Sequence, residues 1–122
     1  MATTATWTVI FDDKKVIKNN GAEKGTGYQI NDDTFWSQSK YSNIWAIQYG
    51  TTPATDEVEY RDTTPHSTFT DANLGNFQDF ITKWDSAHLV QLQSDWDNNN
   101  IDGETEAEKI TRLGARPSSY TS

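Results

Sequence analysis

Apolar and polar residues alternate in several short stretches of the first half of the chain, and a period of two marks strands with one buried face. In Trp7-Thr8-Val9-Ile10-Phe11, the residues Trp7, Val9 and Phe11 fall on one face. Asp12-Asp13-Lys14 is turn material, and Lys15-Val16-Ile17-Lys18 is the return strand of a hairpin. A loop rich in glycine and asparagine follows, with Asn20-Gly21 its tightest turn. Gly27-Tyr28-Gln29-Ile30 then repeats the alternation with Tyr28 and Ile30 inward. Asn31-Asp32-Asp33-Thr34 before Phe35-Trp36 predicts one helical turn capped by an aspartate. Ile44-Trp45-Ala46-Ile47-Gln48-Tyr49 carries apolar groups on both faces, which predicts a central strand. Gly50 to Thr55, with Pro53, is a loop. Glu57-Val58-Glu59-Tyr60-Arg61 alternates cleanly, with Val58 and Tyr60 inward and charges outward, as suits an edge strand.

The period changes after the Pro65 linker. Phe77, Ile81, Trp84, His88, Leu92 and Trp96 recur at steps of four, three, four, four and four, a single helical stripe. Thr70 or Asp71 stands where a cap belongs, and Gly75 weakens the first turn by about 1 kcal/mol relative to Ala. Asn98-Asn99-Asn100 ends the helix. Thr105-Glu106-Ala107-Glu108 is a capping box, Ala107, Ile110 and Leu113 share a face, and Gly114 takes the position after the last turn. Pro117 blocks any continuation. These patterns predict an α+β fold: an antiparallel sheet of four to five strands packed by one long helix, then a short C-terminal helix and an extended arm. Residues 1–114 are expected to form a single domain, with 115–122 as the arm.

Composition sharpens this picture in three places. A length of 122 residues suits one domain. A mean hydropathy of −0.82 would suit a disordered chain. Five Trp, five Tyr and five Phe argue otherwise, because each aromatic ring buries about 150–250 Å² and disordered chains lack such a concentration. The absence of cysteine excludes disulfides, thiol catalysis and cysteine-ligated zinc. A net charge of −8 argues against a nucleic-acid partner, whose phosphates reward a basic face. No apolar run approaches the roughly 18 residues of a membrane span, and Met1–Thr6 is too short and polar for a signal peptide. No membrane partner is expected.

The sharpest local chemistry lies in residues 95–106. Calcium takes six to eight oxygens from a tightly turning loop, supplied in an EF-hand by positions 1, 3, 5, 7, 9 and a bidentate Glu at 12, with Gly at 6. Asp95, Asp97 and Asn99 fill the first three positions, Ile101 offers its carbonyl, and Glu106 falls on the twelfth. Asn100 replaces the glycine, and Asp102 takes the place of an inward apolar residue. A second register puts Gly103 at the turn but Lys109 on the twelfth position. Two readings stand: a Ca²⁺ loop, and a solvated linker whose asparagines adopt positive φ.

Other constellations point to structure. His66 sits in a turn-rich linker and His88 on the inner stripe of the long helix, with no second His or Cys at zinc spacing. Asp32/Asp33 read as turn residues, and Glu57/Glu59 share a face beside Arg61 as a solvated edge. Gly21, Gly25 and Gly27 lack the Gly-Lys-Ser/Thr of a phosphate loop. No catalytic residue and no cofactor beyond calcium is expected. Trp7, Trp45 and Trp84 occupy core-facing positions, whereas Trp36, Trp96, Tyr41 and Tyr120, with Arg116 on the arm, are the expected partner-binding residues.

Trp7 to Asp12, Phe35-Trp36 followed by Asn43 to Tyr49, the Phe77 to Trp96 helix and the Gly103 to Tyr120 ending together resemble small structural or accessory proteins of tailed bacteriophages, marine ones especially. The resemblance implies a non-enzymatic virion component, a head decoration or a tail part, assembled in the host cytoplasm. Its partners would be other phage structural proteins or further copies of itself. It carries over no catalytic residue. Two alternatives stay open: a tail-fibre assembly chaperone absent from the mature particle, and a carbohydrate-binding module using exposed Trp and Tyr.

Overall fold

The computed structural model describes residues 6–19, 25–50, 56–70 and 74–121. Five strands, β1 (Trp7–Ile10), β2 (Lys15–Lys18), β3 (Thr26–Gln29), β4 (Ile44–Tyr49) and β5 (Glu57–Tyr60), form one antiparallel sheet in the order β3-β2-β1-β4-β5. A single-turn helix α1 (Asp33–Trp36) and a 3-10 turn (Ser39–Tyr41) precede β4, and α2 (Gln78–Asn98) and α3 (Glu106–Leu113) follow the sheet. The fold is therefore α+β, as the two periodicities predict. β4 is an interior strand, paired with β1 on one side and β5 on the other, and β1, between β2 and β4, is the middle one of the five. The Asn20-Gly21 turn, most of the Gly50 to Thr55 loop and an Asp71 cap lie outside the described residues.

The chain divides into two compact units, Met1–Trp84 and Asp85–Ser122. The first holds the sheet and the start of α2. Trp7, Val9, Val16, Ile47 and Val58 are fully buried on one face of the sheet. Phe80, Ile81 and Trp84 of α2 are buried in the same unit, and the Trp84 ring meets Trp7 and Tyr28 edge-on, each at 5.4 Å between centroids. Phe11, Phe35, Trp36, Tyr41 and Phe80 form a second aromatic group, with the Phe11 and Trp36 rings 5.3 Å apart. Buried indoles need a hydrogen-bond acceptor. Trp36 Nε1 donates to the Ile30 carbonyl at 2.8 Å and Trp84 Nε1 to the Thr26 carbonyl at 3.0 Å.

Local signals set the element ends. Asp32 Oδ1 accepts the Phe35 N–H at 3.1 Å, the expected cap of α1. Gly75 does not enter the long helix: its φ of +80° is left-handed, and α2 begins only at Gln78, whose N–H is accepted by Asn76 Oδ1 at 2.8 Å. Within β4 the pairing slips between Ile44 and Ala46, so that one extra residue stands there. Such a bulge turns the chain by one position. Ile44 and Ile47 consequently both face the core, and Trp45 is left 45% exposed.

The second unit holds the rest of α2 together with α3. Both arms of the α3 capping box form: Thr105 Oγ1 accepts the Glu108 N–H, and Glu108 Oε1 accepts the Thr105 N–H. Gly114, at φ +82°, closes the helix with its N–H on the Ile110 carbonyl at 2.7 Å. The inner face differs from the expected one. Ile110 and Leu113 are exposed, and the buried side chain of α3 is Lys109.

Candidate functional site

The segment between α2 and α3 begins where the asparagines stop α2. Gly103, at φ +83°, then allows the tight turn in which the Glu104 N–H donates to the Ile101 carbonyl at 3.0 Å. Four of the five residues expected to hold calcium have oxygens engaged by groups of the same unit. Asp95 Oδ1 accepts from Gln91 Nε2 at 2.8 Å. Both Asp97 carboxylate oxygens accept from Arg116, at 2.8 and 2.9 Å. Asn99 offers its side-chain oxygen and its carbonyl to Arg112, at 2.9 and 3.1 Å. The Ile101 carbonyl accepts the Glu104 N–H just described. Glu106, the fifth, is exposed on the first turn of α3. Among the described residues, the carboxylates of Asp95, Asp97 and Glu106 do not gather into a metal-binding group.

The same contacts set the electrostatics. The Arg116 guanidinium holds the Asp97 carboxyl below the ordinary carboxylate range, and Arg112 does the same for Glu104 through a two-point pair at 2.8 and 2.9 Å. Both arginines are raised in return by their acids. Lys109 Nζ donates to Asn100 Oδ1 at 2.6 Å and lies 3.9 Å from the centre of the Trp96 ring, a close cation–π contact. Trp96, Asn100, Ile101, Glu104 and Lys109 border a surface cleft of about 260 Å³.

The arm is anchored on its own unit. Trp96 Nε1 donates to the Gly114 carbonyl at 3.0 Å, Gln93 Nε2 to the Pro117 carbonyl at 3.0 Å, and the Tyr120 ring meets His88 at 4.5 Å. Arg116, Trp96 and Tyr120, three of the expected partner-binding residues, are thus brought together along the second part of α2. Arg116 remains exposed, whereas one face of Trp96 is already covered by Lys109.

Trp36 and Tyr41 stand as corrections to the expected exposure. Both are buried in the aromatic group of the first unit. The Asp32 cap folds the chain into α1, and that turn carries Trp36 inward to the Ile30 carbonyl. Burial, with Asp79 nearby, pushes the Tyr41 hydroxyl up to about 12, and its oxygen is buried with no hydrogen-bond partner among the described residues. Trp45, expected in the core, is instead the exposed indole, with the Arg61 guanidinium 5.8 Å from its ring centre and Arg61 paired to Asp12.

One grouping went unseen in the sequence. Glu57, Glu59 and His66 each bring a potential metal-ligand atom within 4.8 Å of the others. His66 Nδ1 and Glu57 Oε1 are 2.7 Å apart. The bridge that pairs Val58 with Ser67 creates the cluster by returning the chain along β5. The alternation of Glu57 and Glu59 was legible, but the return of His66 was not. The remaining carboxylates with displaced acidity are lowered too: Asp32 by Lys83 and the Phe35 N–H, Asp62 by Thr64 and Asn43.

Comparison with protein-family models, with curated proteins and with solved structures found no match. Among the described residues, no helix is long and apolar enough to cross a membrane.

Proposed function

We propose that the protein is a non-enzymatic structural or accessory component of a tailed-phage virion, working through protein–protein contacts made by its C-terminal unit. The observation that carries this reading is the apolar surface of that unit. Val90 is 64% exposed, Ile101 53%, Ile110 41% and Leu113 36%. Ile110 and Leu113 are neighbours on one face of α3, and the unit closes without them, through ion pairs and hydrogen bonds. A small unit that holds its shape by polar contacts while leaving these four aliphatic residues outside is suited to docking on another protein.

Of the alternatives, the carbohydrate reading loses Trp36 to the core and one face of Trp96 to Lys109. The chaperone reading uses the same surface and differs in where the protein ends up. Quantitative mass spectrometry of purified particles separates the two. Copies in fixed ratio to the major capsid protein are expected, and their number assigns head or tail. Presence in the lysate with absence from particles overturns the virion reading in favour of the assembly factor.

A further inference from the structure

We infer that Glu57, Glu59 and His66 form a binding site for a borderline divalent transition metal, with Zn²⁺ as its representative. The inference is independent of the virion reading and of the 95–106 segment.

The site is built by backbone pairing. Glu57 and Glu59 stand at alternate positions of β5 and so share one face of the strand. Val58 between them exchanges two backbone hydrogen bonds with Ser67, at 2.6 and 3.2 Å. That antiparallel register places His66 opposite Glu59, and its imidazole reaches Glu57 across the diagonal. Tyr60 Oη and Ser67 Oγ, 2.6 Å apart, add a second tie between the strand and the returning chain. The imidazole therefore does not reach the carboxylates from a freely moving loop.

The donor set selects the metal. Two carboxylates alone would suit calcium or magnesium, which want more oxygens than this site offers. An imidazole nitrogen added to two carboxylate oxygens suits zinc and its neighbours, with water completing the shell. Metal–ligand bonds of about 2.0–2.2 Å place tetrahedral ligand atoms about 3.3 Å apart. The three ligand atoms already lie within 4.8 Å of one another, and the His66–Glu57 pair at 2.7 Å need open only slightly. All adjustment falls on side-chain torsions, because the Glu57 and His66 side chains are about half exposed. Charge favours occupancy as well. Two glutamates on one strand face repel each other, and a dication between them offsets both charges.

The test is a calorimetric titration of the full chain with a zinc salt, repeated on His66→Gln and Glu59→Gln. One equivalent is expected to bind, with affinity reduced at least tenfold by either substitution. Magnesium at the same concentration is expected to give no heat. Both substitutions are on exposed or half-exposed positions, so an unchanged melting temperature without metal shows that the variants fold. A wild-type chain that takes up no zinc overturns the inference. So does zinc binding that survives His66→Gln at full affinity, which would place the metal elsewhere.

Discussion

In the Met1–Trp84 unit, among the described residues, the buried side chains are aromatic and aliphatic with the single exception of Lys18, and Trp7, Val9, Ile47, Phe80 and Trp84 are fully buried. In the Asp85–Ser122 unit, among the described residues, the buried side chains are Asp85, His88 and Lys109. The first unit draws its stability from area removed from water, about 25 cal/mol for each Å². The second draws it from a cap, two arginine–carboxylate pairs and a lysine laid over an indole. Area is non-directional and carries no titratable charge. Hydrogen-bonded ion pairs are directional, screened and titratable. The contrast teaches that these units should fail under different conditions, and that the aliphatic residues of the second are left over for contacts with another molecule.

The strongest way to break that comparison is Trp84→Ala. Removing a fully buried indole should cost about 3–5 kcal/mol in denaturant unfolding, through the cavity left against Trp7 and Tyr28. A cost below about 1 kcal/mol would mean that the sheet unit does not depend on its aromatic core. Thr105→Ala comes next, at about 1 kcal/mol for a lost N-cap. Its effect should appear as faster amide exchange over Glu106–Leu113, with exchange in β1 and β4 unchanged. Tyr41→Phe should be neutral or slightly stabilising, by up to about 1 kcal/mol, since it removes a buried hydroxyl that has no partner among the described residues. A marked loss on this substitution would show that the hydroxyl is satisfied.

Acid provides the gentlest probe. Asp97 and Glu104 have folded-state acidities shifted below the ordinary values of 3.8 and 4.5. A lowered carboxylate contributes stability that is fully present above its unfolded value and is lost as pH falls through the folded one. Exchange protection in α3 and the arm should therefore fall as pH drops below about 4, with the core strands of the sheet retaining theirs. Equal loss in both units would erase the distinction drawn between them.

Much of the fold was legible in the sequence because its signals are local. Trp7, Val9 and Phe11 share a buried face, Asp32 caps α1, and the Thr105–Glu108 box opens α3, each from residues a few positions apart. The candidate sites were harder to read. Strict alternation puts Trp45 in the core with Ile47 and Tyr49, and a one-residue bulge reverses that parity without any glycine to announce it. Nothing local marks Lys109 as buried, because its burial follows from an indole and an asparagine elsewhere in the chain. Arg112 and Arg116 engage oxygens that the EF-hand spacing offers to calcium. His66 joins Glu57 and Glu59 through a bridge that no periodicity encodes. In each case the deciding partner is distant in sequence.

The bulge in β4 has an optical consequence. Trp7, Trp36 and Trp84 are buried, Trp96 is partly covered by Lys109, and Trp45 alone among the five indoles is exposed. A collisional quencher added to the native protein should therefore dim the long-wavelength edge of the tryptophan fluorescence first, and that light comes chiefly from Trp45. One inserted residue has given the outer face of the sheet its own built-in lamp, and anything that settles there will announce itself by shielding Trp45 from the quencher.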